Sequence, residues 1–268
     1  MALLMKNQRL FFFFLVCLTI STLGAHSELL YNHCEKNFTQ NDILQSNIGN
    51  LLIDMAAQST LRRYAISSFG GGGYEAVYGI ARCDGDMIHT ACSACITGAE
   101  HDILSICPGS GAVHAWREKC YLHYDVTNFV GKWERTYASV WRSTTKAEDP
   151  KAFEQGVAEL MGEVMAEAAG APDSTLKYKS GESSLKGYCD GNVTIYGMAQ
   201  CTQDLCESEC NLCLESSLEV MGKFCGGNVG CRIFGSGCVL RYEIYEFLTV
   251  YHTPGVEAPA PAPSVVAG

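Results

Sequence analysis

Cys83, Cys92 and Cys95, and again Cys201, Cys210 and Cys213, stand in the spacing Cys-x8-Cys-x2-Cys. A Cys-x-x-Cys pair can serve three chemistries: zinc ligation, thiol–disulfide exchange or a structural cross-link. Zinc wants four ligands, commonly two such pairs in one fold unit, and each stretch supplies one. Redox exchange wants a thioredoxin-like βαβ setting, which the flanking residues do not provide. Structural disulfides are the expectation, and no metal site is predicted.

The other reactive side chains form no recognised constellation. The histidines His26, His33, His89, His101, His114, His123 and His252 make no His-Glu-x-x-His, and neither a Gly-x-Ser-x-Gly elbow nor a Walker sequence occurs. Gly70 to Gly73 lack a following Lys-Ser/Thr and read as a loop, not a phosphate cradle. Carboxylates are plentiful, but none is spaced so as to mark an acid and a base. The sequence therefore predicts no catalytic residue and no cofactor, and binding is the expected class of function.

The address is extracellular. Lys6 and Arg9 precede an apolar run from Leu10 to Ile20, and small residues follow at Thr22, Gly24, Ala25 and Ser27. That is the order of a secretory signal peptide, predicted over 1–27 with cleavage after Gly24 or Ser27. Cys17 falls inside it, so fourteen of the fifteen cysteines remain, an even number suited to complete pairing in an oxidising compartment. Asn37 and Asn192 each begin an N-glycosylation sequon. Without Lys6 and Arg9, seventeen basic residues face twenty-nine acidic ones. Such an acidic chain is ill suited to nucleic acid or anionic membrane. No later stretch is long and apolar enough for a membrane span, so none is expected in the mature chain.

Laid on itself at an offset of 118, the chain repeats. Val77-Tyr78-Gly79-Ile80-Ala81-Arg82-Cys83 overlies Ile195-Tyr196-Gly197-Met198-Ala199-Gln200-Cys201, and Cys92, Cys95, Cys107 and Cys120 overlie Cys210, Cys213, Cys225 and Cys238. Five cysteines in register mark a tandem duplication of normal domain size. The expected boundaries are 28–135 and 136–252, with a Pro/Ala-rich extended tail over 253–268.

Each copy mixes helix and strand. Asn41 or Asp42 caps a helix with the stripe Leu44, Ile48, Leu51, Leu52 and Met55; Asp149, with Pro150 next, caps its counterpart through Phe153, Val157, Leu160, Met161 and Val164. Branched and aromatic residues predict strands over 61–67 and 75–82, joined by the glycine run. A shorter second helix should carry Cys92 and Cys95, then Cys210 and Cys213, since positions three apart share a face. Closing strands are expected around Cys120 and Cys238. The predicted fold is α+β, two tandem disulfide-rich domains, each an antiparallel sheet covered by two helices.

These residues resemble a known family. The Cys-x8-Cys-x2-Cys spacing, the preceding Tyr-Gly and the closing Cys-x-x-x-Tyr-Asp/Glu are similar to the ginkbilobin-homologous, or stress-antifungal, domain, and two copies behind a signal peptide resemble the plant cysteine-rich repeat secretory proteins. The resemblance implies the pairs Cys34–Cys107, Cys83–Cys92 and Cys95–Cys120 in the first copy, and Cys201–Cys210 and Cys213–Cys238 in the second. The counterpart of Cys34 falls near Trp141 or Arg142, so Cys225 lacks its expected partner. Cys189, Cys206, Cys225 and Cys231 then remain, and three pairings of them are open.

Ginkbilobin's mannose-binding Asn, Arg and Glu imply a sugar site. Their positions hold Glu35, His114 and Asp125 in the first copy. In the second, Arg232 and Glu243 match, while the Asn position falls near Arg142. A guanidinium and a carboxylate can together donate to and accept from adjacent hydroxyls. Arg232 and Glu243 are the possible sugar-binding residues, with an ordinary strand-to-strand ion pair as the alternative. The resemblance thus implies a secreted, non-enzymatic apoplastic protein in plant defence or signalling, whose partners are cell-wall or microbial glycans of mannose type or receptor ectodomains. The alternatives are a plasmodesma-located regulator of cell-to-cell transport and a structural adaptor.

Overall fold

The computed structural model describes residues 27–248 apart from 39–40, 134, 136–137, 173–174 and 189–190. The expected signal peptide up to residue 26, the tail, Tyr137 and Cys189 lie outside the described residues.

The first sheet comprises β1 (Leu29–Asn37), β2 (Tyr64–Phe69), β3 (Val77–Cys83), β4 (Ser110–Arg117) and β5 (Cys120–Asp125), in the order β1-β4-β5-β3-β2. The second comprises β6 (Ala138–Arg142), β7 (Tyr178–Tyr188), β8 (Gly191–Cys201), β9 (Gly230–Gly235) and β10 (Cys238–Glu243), in the equivalent order β6-β9-β10-β8-β7. All neighbouring strands are antiparallel. Helices α1 (Asp42–Ser59) and α2 (His89–Ile106) belong to the first copy, α3 (Pro150–Ala169) and α4 (Glu207–Cys225) to the second.

Local sequence explains the helices. Asn41 Oδ1 accepts the Leu44 amide at 3.1 Å and Asp149 Oδ1 the Ala152 amide at 3.1 Å, each satisfying one of the open N–H groups of a first turn. The whole predicted stripe of each first helix is buried. The second helices, expected to be shorter, nearly match the first: α2 has 18 residues like α1, and α4 has 19 against 20 in α3. Their Cys-x-x-Cys pairs bury one face against the sheet, and the bridges fasten the start of each helix to the strands. Gly70 to Gly73 all take positive φ, which lets them turn the β2–β3 connection at little steric strain.

Alternation along each strand sorts the side chains. On β5, Cys120, Leu122 and Tyr124 enter the core under the helices, while Tyr121 and His123 face the other way. On β9, Cys231 and Ile233 point inward and Phe234 joins the opposite face. Yet every residue of β9, and all but the last of β4 and β5, is buried. The face without helices is therefore covered as well, and its cover is the other copy. Trp116, Tyr121 and Ile80 of the first copy form one apolar cluster with Phe234 of the second.

The sequence from Lys132 to Thr145, with Trp133, Tyr137, Val140 and Trp141, is too aromatic for a flexible linker and predicts that the copies pack against each other through it. They do pack together, but mainly through other residues. Residues 138–142 are the edge strand β6 of the second sheet; Val140 and Trp133 lean on the second copy's own core, and Trp141 stays about half exposed at 48%. The copies meet through sheet faces instead.

Candidate functional site

The junction is made of matching positions in the two repeats. Trp116 Nε1 donates to Gly235 O at 3.2 Å, and Gln200 both donates through Nε2 to Cys83 O at 2.9 Å and accepts the Gly85 amide at 3.1 Å. Arg82, the repeat counterpart of Gln200, lies buried beside Asp84 at 3.5 Å. Asp84 also draws Lys119 at 3.9 Å and, across the junction, Arg232 at 3.7 Å. One buried carboxylate thus gathers three cations, which is sustainable only where hydrogen bonds complete the arrangement.

Arg232 was expected to face a sugar or pair with Glu243; among the described residues it does not pair with Glu243. Its Nη2 donates to Glu118 O of the first copy at 2.6 Å, and its guanidinium lies 4.1 Å from the centre of the Phe234 ring. Burial lowers its pKa to about 10, with Asp84 pulling it back up, so it stays charged at physiological pH. Glu243 is held instead by Arg241, Nε to Oε1 at 3.1 Å. Both residues lie on β10 two positions apart, so this ion pair runs along one strand and is not the strand-to-strand pair expected of Arg232 and Glu243.

Register also moves the third position. Glu35 lies opposite Ala112, the repeat counterpart of Gly230, and Ser143 N bonds to Gly230 O. Ser143, not Arg142, is therefore the counterpart of Glu35; Arg142 lies opposite Cys231, where Cys34 lies opposite Val113.

Both sets of positions border hollows at the edges of the junction. Arg142, Ser143, Arg232, Arg241 and Glu243 line a groove of about 810 Å³, with the exposed rings of Trp141 and Tyr245 beside them and Glu118 of the first copy closing one side. Glu35, His114 and Asp125 line a smaller cavity of about 280 Å³, closed by Ser236 and Gly237 of the second copy. Each hollow combines one copy's strands with the β4–β5 or β9–β10 turn of the other. Sequence reasoning missed this contribution because it arises only when the copies are docked.

The first-copy residues are already engaged. Lys36 Nζ bonds both oxygens of Asp125 at 2.6 and 2.7 Å, and His33 Nε2 meets Glu35 Oε1 at 2.7 Å. His114 Nδ1 meets the Tyr121 hydroxyl at 2.7 Å and stacks on His123 at 3.8 Å, which in turn stacks on Phe129 at 3.9 Å. Burial lowers the His114 pKa to about 4, and depresses that of His123 well below its ordinary value. His114 is neutral in mildly acidic surroundings and does not replace an arginine.

Six disulfides are present among the described residues. Cys34–Cys107, Cys83–Cys92 and Cys95–Cys120 staple the first copy; Cys201–Cys210, Cys213–Cys238 and Cys225–Cys231 the second. Where Cys107 ties the end of α2 to β1, Cys225 ties the end of α4 to β9, one strand further in. Cys189, the remaining cysteine of the second copy, is outside the described residues. Among those residues Cys206 has no disulfide partner, and it lies exposed just before α4. Its hydrogen bond with Ser208, Sγ to Oγ at 3.1 Å, lowers its pKa. Asn37 and Asn192 are both exposed.

Among the described residues no helix is long and apolar enough to cross a membrane, and no group of three or more His, Cys, Asp or Glu could hold a metal ion. The family model for salt stress response/antifungal domains matches residues 32–127 and again 141–245. The chain belongs to this family. Cysteine-rich repeat secretory protein 61 of Arabidopsis thaliana, a putative protein by name, is 30% identical over 86% of this chain and 88% of its own length. An antimicrobial ginkbilobin-2-like protein of Castanea crenata is 27% identical, covering 88% of this chain and 95% of its own. Among solved structures, the tandem DUF26 ectodomain of the Arabidopsis thaliana receptor-like protein PDLP8 superposes with a TM-score of 0.71 at 25% identity, covering 81% of this chain and 98% of that one. The tandem arrangement of two stress-antifungal domains is thus shared with the PDLP8 ectodomain.

Proposed function

We propose that this protein is a secreted, non-enzymatic binding protein of the plant apoplast that acts in defence or signalling by holding mannose-type glycans of cell walls or microbes. The groove on the second copy carries this reading. It presents two exposed aromatic rings, Trp141 and Tyr245, beside the Arg241–Glu243 pair and the guanidinium of Arg142. A pyranose ring offers an apolar C–H face and a rim of hydroxyls; rings suit the first, and a mixed donor and acceptor set suits the second. Glu243 keeps the role expected of it, Arg241 and Arg142 supply the donors, and Arg232 forms the wall behind them. The relatives named secretory and antimicrobial agree with such a role. Titration of the whole mature protein with mannose oligomers should show weak saturable binding, lost in Trp141→Ala and reduced at least about tenfold in Glu243→Ala, a step of about 1.4 kcal/mol. Binding that survives both substitutions places the sugar elsewhere.

A second reading rests on the likeness to the PDLP8 and PDLP5 ectodomains. In it the chain acts at plasmodesmata, with a receptor ectodomain as its partner. A fluorescent fusion followed through plasmolysis separates the two: puncta retained at cell junctions favour this reading, and movement with the apoplastic fluid favours the first.

A further inference from the structure

The smaller cavity has a chemistry of its own. It lies between the copies, with Phe129 and Trp133 as aromatic walls and Asp204 of the second copy among its lining residues. Asp204 Oδ2 accepts the Gly131 amide at 2.9 Å, but Oδ1 is buried and has no hydrogen-bond partner. The carboxyl is pushed above its ordinary pKa by burial, against the smaller help of the Gly131 amide, the Thr202 hydroxyl and its own amide. Across the cavity lining His123 is only 6% exposed, and its Nε2 likewise has no partner. Buried polar atoms in this state cost free energy until something meets them. With both imidazoles neutral, Glu35, Asp125 and Asp204 outnumber Lys36 and Lys132 in the lining, and the hydrogen bonds of Lys36 are already directed at Asp125 and Thr127.

We propose that the cavity between the copies binds a small organic ammonium, whose N–H groups donate to Asp204 Oδ1 and whose carbon skeleton lies against Phe129 and Trp133. An ammonium supplies the missing counter-charge beside the Asp204 carboxylate, donates to an acceptor that has none, and is attracted to the faces of aromatic rings. A neutral imidazole nitrogen at His123 offers a further acceptor. An anion would meet an excess of carboxylates. A neutral polyol would leave the charge uncompensated. The site needs both copies, because Asp204 comes from one and His123 and Phe129 from the other. It is independent of the groove bordered by Trp141.

Glucosamine and glucose share a ring and differ in one ammonium, so calorimetric titration of the whole mature protein with each is the test. Glucosamine should bind about tenfold or more tighter than glucose, as a charge-assisted hydrogen bond implies. Asp204→Asn keeps the size of the side chain and should erase the preference. Lys132→Gln removes an exposed competing cation and should tighten glucosamine about twofold or more while leaving glucose unchanged. Trp141→Ala should alter neither. Equal binding of the two sugars, a preference that survives Asp204→Asn, or no binding of glucosamine would each overturn the assignment.

Discussion

At the scale of single residues, the account turns on arginines and histidines whose surroundings changed their work. Arg232 occupies a position that sequence marks for sugar, and nothing in its neighbours along the chain says otherwise. What redirects it is Glu118 O and Asp84, more than a hundred residues away. Glu243, by contrast, stays at an accessible groove and was legible as a candidate. Arg232→Ala should cost about 3 kcal/mol or more of stability, because it leaves the buried Asp84 with one cation fewer and the Glu118 carbonyl without its donor. Urea denaturation measures this; a loss below about 1 kcal/mol would show Arg232 to be dispensable at the junction. His114 carries a pH dependence whose sign follows from its depressed pKa. In the unfolded chain it titrates near its ordinary 6.5, and in the folded protein at about 4. Between these values the unfolded state binds more protons, so stability falls as pH drops from about 6.5 to 4 and the loss is complete below 4. His123 acts in the same direction. Urea midpoints should fall over this window in the wild type, and His114→Gln should flatten the profile; a profile unchanged in that variant would contradict the assignment.

At the scale of elements, the first helix of each copy and the β2–β3 hairpin were readable because their signals are local: a capping side chain, a stripe, a glycine run. The strands β1 and β6 were not. Each is an edge strand whose place depends on pairing with β4 or β9, more than seventy residues downstream, and β6 carries Val140 and Trp141 of the segment that reads as an interface. The same distance hid the Cys225–Cys231 bridge, since only register reveals that Cys231 stands opposite Arg142, the counterpart of Cys34. Loop length then predicts unequal value. Cys34–Cys107 spans 73 residues and Cys225–Cys231 spans 6, so the chain-entropy relation gives about 4 kcal/mol for the first and about 2 kcal/mol for the second. Replacing each pair by Ala and comparing urea midpoints should rank them in that order, and a larger loss from the short bridge would mean that native-state packing outweighs loop entropy.

At the scale of the whole molecule, duplication was plain from the cysteines and packing of the copies was expected from the aromatic segment between them, but the docking surface was not legible, because nothing local marks His114, Trp116, Tyr121 and His123 as its lining. The structure buries them, and the junction replaces what in a single copy would be solvent. Close approach is part of it: a Cβ on Gly85 would strike the ring of Tyr178 in the other copy. Two hollows result, each walled by both repeats, so binding and cohesion share one foundation. The central claim is that the two copies are one body. Differential scanning calorimetry of the mature, disulfide-intact protein tests it most directly, compared with Gly85→Leu, which wedges the junction open without touching either core. The account predicts a single transition in the wild type with equal calorimetric and van't Hoff enthalpies, giving way to a lower and broader or split transition in the variant. Two resolved transitions in the wild type, unmoved by the wedge, would contradict it.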